Sequence, residues 1–430
     1  MQILKQIVQS HREFESGDLW LFFDPANFSR LRADTDDSTS MRIGFRHEIS
    51  PHSDFIVNLI RRERDSKLLF KEIAAIGRDD EGFNAEAQYL SVLDDPTALN
   101  IVDRLTVIGG AGHADVDRIA LFEPILLGFS PDIKPETLRH TNTYVYSYAE
   151  FLNRLELTLG VSYDDFEDKN IRRHQVNPKL GLTFDLTSKI RLRAAAFRTL
   201  NRTILSDQTI EPTQVAGFNQ FFDDPEGAKP WRYGVGADLH LFSGWYAGGE
   251  VTYRHLSIAL PDVSADGTWL PKQHRETTCR AYVYGTVGKY FTFGAEYMEE
   301  RFRHDIAYTQ GDFKELHNRE LRPTIGMPLP SGFSLQVRSR YVRQDGNFDD
   351  GIILNPDAAQ FRGHDGFVLT DIELSYRLPR RYGKISLIGQ SISNESVKFQ
   401  DTLPSQASLA ATPRLAYEQQ FFLQVNLVSQ

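Results

Sequence analysis

Between Phe333 and Tyr341 the chain sets Phe333, Leu335, Val337 and Tyr341 against Ser334, Gln336, Arg338 and Arg340. A period of two marks a β-strand. One apolar face and one face with two arginines suit a wall with lipid outside and water inside. The alternation recurs. Leu155, Leu157, Leu159, Val161 and Tyr163 interleave with Glu156, Thr158, Gly160 and Ser162. Leu180, Leu182 and Phe184 alternate with Lys179, Gly181, Thr183 and Asp185, and Ile190, Leu192, Ala194 and Ala196 with Arg191, Arg193, Ala195 and Phe197. Met41, Ile43 and Phe45 against Arg42, Gly44 and Arg46, and Val368, Ile372, Leu374 and Tyr376 against Asp371, Glu373 and Arg377, repeat it. With their flanks most of these runs reach the roughly 9 to 11 residues that a tilted strand needs to cross a bilayer.

Connections alternate in length. Tight turns are predicted at 51–53, 95–97, 151–153, 187–189, 243–244, 288–290, 328–332 and 379–383. Longer polar segments, predicted as loops, lie at 64–81, 165–173, 199–231, 260–276, 304–312, 345–365 and 394–414. Short turns on one rim and long loops on the other are the outer-membrane arrangement, the short ones periplasmic. The predicted fold class is therefore all-β: a closed antiparallel transmembrane β-barrel of about 16 to 18 strands, both chain ends on the periplasmic side. Residues 1–16 are expected to be a periplasmic lead-in and 17–430 the barrel. A soluble sandwich or propeller would have to bury arginines on successive inner faces, which is costly in a dry core. Segments 100–107 and 116–127 read equally as strand or short helix.

Composition changes this picture little. Among 430 residues, 41% are hydrophobic and 25% charged, but aromatics reach 12%, with 29 Phe and 17 Tyr. A polar lumen, polar loops and an aromatic-girdled lipid face average to such values. No stretch is long and apolar enough for a transmembrane helix; the best, Ile119 to Phe129, is interrupted by Glu123 and Pro124. The single cysteine, Cys279, excludes an internal disulfide and a thiol-cluster metal site, and a net charge of −10 argues against nucleic acid as partner. The first residues, Met1 to His11, lack a secretory apolar core. The exported character of the rest leads us to expect the carboxy-terminal part of a longer product, or a truncated reading frame.

From Asn177 onward the residues resemble the carboxy-terminal barrel of TonB-dependent receptors. Asn177-Pro178-Lys179-Leu180-Gly181-Leu182-Thr183-Phe184 is similar to a strand of that family running into a periplasmic turn, and Ile190 to Thr199 to the strand that follows. Ile385 to Asn394 resembles the penultimate strand, although the corner after it here reads Asn394-Glu395-Ser396. Glu211 to Asp224 is similar to a segment of plug-less barrels that follow tetratricopeptide repeats. The resemblance covers about 60% of the chain. It implies an outer-membrane location, lipid and the barrel-assembly machinery as partners, and a periplasmic energy-coupling or repeat-domain partner. Two departures are visible: no plug or TonB box precedes the first strand, and the chain ends Asn426-Leu427-Val428-Ser429-Gln430 without a terminal aromatic.

Motifs for chemistry are weak. Asp345-Gly346-Asn347-Phe348-Asp349-Asp350-Gly351 clusters oxygens, but it places Asp350 where a calcium loop turns on glycine and lacks the closing glutamate. It reads as a solvated acidic loop. Gly109-Gly110-Ala111-Gly112 reads as a bend, and His47-Glu48 and His113-Ala114-Asp115 lack zinc spacing. No metal, cofactor or catalytic residue is expected; an enzyme is not the favoured reading, and a hydrolase site scattered along a barrel rim is the alternative from that class. The candidate lumen residues are Arg191, Arg193, Arg280, Arg338, Arg340, Asp371, Glu373 and Arg377. They would brace the wall as ion pairs or select a charged solute. In the longest loop Phe218, Asn219, Gln220, Phe221, Phe222 and Trp231 suit either stacking on sugar rings or folding inward as a constriction, the latter preferred because exposed aromatics would be a sticky surface. The expected function is passage or recognition of a solute or polymer, the alternative a plug-less export or anchoring barrel.

Overall fold

The computed structural model describes residues 2–15, 32–70, 74–94, 101–123, 132–201, 209–220, 224, 226–261, 269–304, 313–348, 361–393 and 419–427. In chain order the strands are β1 (Gln2–Glu15), β2 (Arg32–Ser50), β3 (Ser53–Phe70), β4 (Ala74–Asp94) and β5 (Val102–Glu123). Next come β6 (Asp132–Phe151), β7 (Leu155–Glu167), β8 (Arg172–Thr187) and β9 (Ile190–Arg198), followed by the two-residue strands β10 (Gln214–Val215) and β11 (Phe218–Asn219). The second half holds β12 (Lys229–Phe242), β13 (Trp245–Pro261), β14 (Trp269–Val287), β15 (Phe291–His304) and β16 (Phe313–Pro328). It ends with β17 (Phe333–Phe348), β18 (Phe361–Arg377), β19 (Gly383–Gln390) and β20 (Gln420–Leu427).

These strands form an 18-stranded antiparallel sheet and one small hairpin. Each strand pairs with its neighbour in sequence, except that β9 pairs directly with β12 and leaves β10 and β11 as an excursion. The expected strand count and antiparallel barrel fold are thus met. Most of the tight turns fall where expected: at 51–52, 152–154, 188–189, 243–244 and 288–290, with single 3-10 turns at Pro330–Gly332 and Pro379–Arg381. The turn expected at 95–97 lies outside the described residues.

Two solvents set the alternation. On β7, Leu159, Val161 and Tyr163 are 48, 46 and 44% exposed, whereas Thr158, Ser162 and Asp164 between them are 1, 3 and 4% exposed. The apolar set therefore faces lipid, and the polar set faces an interior that other groups cover. In place of one large core, small apolar clusters sit on the inner wall, such as Ile60, Val116, Leu138, Phe166 and Leu200.

The structure corrects four expectations. Residues 2–15 are β1, hydrogen-bonded along β2 from Gln2 opposite Arg46 to Glu15 opposite Ala33, in place of a lead-in. Residues 64–81 belong largely to β3 and β4, which pair from Ser53 opposite Ser91 to Phe70 opposite Ala74. Water wets both faces of that stretch, so polar residues stand on both sides and no apolar alternation marks it. The same holds at three of the other long connections: β7 runs to Glu167, β14 begins at Trp269, and β17 continues through Asp345 to Phe348. Gly109-Gly110-Ala111-Gly112 is no bend but lies within β5, the strand that also takes up the described parts of the two segments left open between strand and helix. Gly110 is there because a Cβ would land on the Tyr144 ring, which lies flat across it.

Candidate functional site

The inner wall carries one feature that ordinary staves would not produce. After β9 the chain turns inward, and residues 209–220 lie against the inner faces of β4, β6, β8, β9 and β12. Strand β10 pairs with β11 through Gln214 opposite Asn219 and Val215 opposite Phe218. The two residues between them, Ala216 and Gly217, have φ of 47° and 81°. Positive φ at both central positions is the two-residue hairpin geometry that matches strand twist, and Gly217 takes it without steric cost.

The hairpin is buried by contact with the wall. Val215 is 0%, Phe218 2% and Gln220 1% exposed. Glycines on the wall make the contact possible. A Cβ at Gly181 would stand 2.8 Å from Val215 Cγ1 and 3.0 Å from Ala216 Cβ, and one at Gly234 would stand 2.6 Å from the Phe218 ring. The Arg193 guanidinium lies over that ring, 5.1 Å from its centroid. Arg232 Nη1 donates to the Asn219 carbonyl at 3.0 Å.

Polar anchors hold both ends. The buried Glu211 carboxylate accepts from Tyr146 Oη at 2.8 Å and from Asn142 Nδ2 at 3.0 Å. Gln220 Nε2 donates to the Pro212 carbonyl at 2.7 Å and meets Tyr146 Oη at 3.2 Å. Farther along the wall, Glu86 on β4 accepts from the Ile210 amide at 3.1 Å and from the Thr209 hydroxyl, and Gln88 donates to the Ile210 carbonyl. The excursion leaves from β9 and reaches β4, five positions away in the sheet, which at about 4.8 Å per strand is about 24 Å of wall. Arg254 binds Asp224 and Glu276 and pins the return to β12.

The rest of the interior is a mixed-charge lining. Arg191 grips Asp185 with bonds of 2.7 and 2.9 Å. Arg193 reaches Asp238 at 2.7 Å and Glu250 at 3.3 Å, and Arg280 reaches Glu296 at 2.9 Å. Glu373 receives Lys384 at 2.7 Å and Arg338 at 3.6 Å, and Asp371 accepts from the Ser391 amide at 3.0 Å. Arg340 and Arg377 stand on the same face, by register opposite Leu369 and Lys384. Below the hairpin a recess of about 620 Å³ opens toward the short turns, lined by Arg154, Asp185, Lys189, Arg191, Asp238 and His240 among others. The lumen candidates from the sequence all lie on the inner face, most of them in pairs that neutralise one another, so the lining offers few free charges of one sign.

The loop candidates divide. Phe218, Asn219 and Gln220 sit in the hairpin. Phe221 and Phe222 lie outside the described residues. Trp231 is a correction: it belongs to β12 and faces outward, its ring 6.0 Å from Tyr233, which stacks in turn on Tyr253. These rings form part of an aromatic belt on the lipid side. Sequence reasoning missed Glu211, Tyr146, Asn142, Glu86 and Gln88, the polar anchors. Their one visible signal is the presence of glutamate, asparagine and glutamine among inward positions of strands whose neighbours carry glycine. Among the described residues no group of histidine, cysteine or carboxylate side chains is placed to hold a metal ion.

Residues 10–394 match the family model described as TonB dependent receptor-like, beta-barrel. The chain belongs to that family. No curated protein matches the sequence. Solved structures of TonB-dependent receptors and related outer-membrane transporters are similar in fold. The ferric-catecholate import receptor Fiu of E. coli K12 superimposes with a TM-score of 0.66 at 10% identity, over 99% of this chain and 71% of that one. FpvA of P. aeruginosa, crystallised with a ferric pyoverdine, gives 0.69 at 10% identity over 98% and 62%. BauA, the ferric preacinetobactin receptor of Acinetobacter baumannii, gives 0.64 at 11% identity over 91% and 63%. The chain thus spans about two thirds of the length of such TonB-dependent receptors, and like them it is an outer-membrane barrel.

Proposed function

We propose that this chain is the wall and internal gate of an outer-membrane uptake receptor, with the hairpin at 214–219 as its constriction. The observation that carries the reading is the burial of Val215, Phe218 and Gln220 against a wall thinned by glycine. A lipid anchor needs no such device, because anchoring is done by the outward apolar face. A passage does need one, since an open polar lumen would leak small solutes. The paired lining suits a solute that exchanges hydrogen bonds with both signs of charge as it passes. Similarity of fold to receptors named for ferric chelates makes a metal chelate the solute class to test first. The charged recess under the hairpin faces the periplasmic rim, where an energy-coupling partner would dock.

The test is uptake. Cells that carry the chain, and matched cells that lack it, are supplied with a panel of radiolabelled ferric chelates at limiting concentration. At least one should accumulate faster in the first strain, and a protonophore should abolish the difference. Equal accumulation across the panel contradicts the uptake reading. Accumulation that survives the protonophore points to an ungated or export barrel instead.

A further inference from the structure

The outer face of the barrel is unevenly charged above its lipid band. On β14 to β17 the residues Arg275, Arg301, Arg303, His317, Arg319 and Arg343 all point outward and toward the rim of long loops. The row beneath them is Tyr297, Leu321 and Tyr341, joined by register across β15, β16 and β17. Leu321 and Tyr341 are 45 and 46% exposed, and Tyr297 donates to Glu299 at 3.1 Å, so this row is the edge of the apolar band. The cationic group therefore lies at the height of the headgroups of the outer leaflet.

Its arrangement is costly without an anion. Arg275 stands directly opposite Arg303, and Arg319 directly opposite Arg343. Side chains so placed have Cβ atoms about 4.5 to 5.5 Å apart, and like charges there repel. Partial relief comes from Glu299 to Arg301 at 2.7 Å, Glu315 to Arg303 at 3.5 Å and Asp345 to Arg343 at 3.6 Å, and Arg319, which stands opposite Glu299, also bonds the His317 ring at 3.2 Å. Five arginines against three carboxylates leave a surplus of two positive charges, in a chain whose net charge is −10. At the corresponding height on β3 to β5 the outward side chains include Glu63, Asp65, Asp79, Glu81, Asp115 and Asp117, and the sign is reversed. The surplus is local to one flank.

We infer that this flank binds the phosphate groups of a phosphorylated glycolipid of the outer leaflet, Arg275 with Arg303 and Arg319 with Arg343 each flanking one phosphate. Guanidinium groups match phosphate in planar, two-bond geometry, and a partly dehydrated headgroup layer strengthens the pairing. The tyrosine row beneath holds the sugar and the start of the acyl chains. This site is independent of whatever crosses the lumen.

Native mass spectrometry of the full chain in a neutral detergent, titrated with bis-phosphorylated lipid A, tests it. The wild type should retain lipid. The variant Arg275→Gln, Arg303→Gln, Arg319→Gln, Arg343→Gln should bind at least about tenfold more weakly, about 1.4 kcal/mol. The variant Arg61→Gln, Lys67→Gln, Arg139→Gln, on the acidic flank, should bind as the wild type does. Equal binding by the first variant, or equal loss in the second, overturns the assignment. Should the first variant fail to fold, the wild type decides alone. Lipid A without phosphates binding as well as the intact lipid, or inorganic phosphate binding as tightly, overturns it; loss with the dephosphorylated lipid supports it.

Discussion

Excision of residues 214–219, with Thr213 and Gln220 joined through two glycines, is expected to raise single-channel conductance in planar bilayers several-fold over the parent chain. The joint is feasible because the Gln220 amide already donates to the Thr213 carbonyl at 2.9 Å. Glu211 keeps its bonds to Tyr146 and Asn142, and Thr209 and Ile210 keep Glu86, so the excised chain loses the protruding hairpin and little else. What is removed is the Val215, Ala216 and Phe218 cluster that now covers Ala195 and Phe197. Newly wetted Arg193 retains Asp238 and Glu250, so the wall itself should stand. Unchanged conductance would mean that the hairpin narrows nothing.

Phe218→Ala is expected to have the largest effect of any single substitution in the hairpin. Truncating a buried aromatic costs about 3 to 5 kcal/mol, and here that cost falls on one contact, the docking of a short hairpin. Since each 1.4 kcal/mol is about a factor of ten, brief openings in the parent should become the dominant state. Glu211→Ala should act in the same direction and more weakly. It takes the acceptor from the Asn142 amide, at about 1 to 3 kcal/mol where water cannot reach, while the Tyr146 hydroxyl can still donate to Gln220 Oε1 at 3.3 Å. Open probability from single-channel records should therefore rank Phe218→Ala above Glu211→Ala above the parent. The reverse order would place the hold on the hairpin in its polar ends.

The parts of the fold that the sequence made legible are those where physics is asymmetric. Leu155 to Tyr163 and Phe333 to Tyr341 alternate cleanly because lipid meets one face and a polar interior the other. Above the lipid the asymmetry vanishes. Arg64, which pairs with Asp36 at 2.9 Å inside the wall, and Glu63 and Glu81, which meet Arg61 outside it, are equally polar, and the strand through them reads as loop. Trp231 misled for a related reason. It closes a polar run, so it reads as the end of a loop, whereas it is the start of a stave and part of a stacked aromatic belt. The hairpin was half legible. Phe218 and Gln220 announced an inward constriction through the cost of leaving them exposed. Their anchors come from strands more than sixty residues away, Tyr146 and Glu86 among them, and only the folded wall brings these together.

Chemical accessibility reports the position of the hairpin most directly. Val215 is 0% exposed where the hairpin docks on the wall. In a Cys279→Ser background, the Val215→Cys thiol should resist a membrane-impermeant maleimide in the folded protein and react promptly once the protein is unfolded. Prompt labelling of the folded protein would contradict the account.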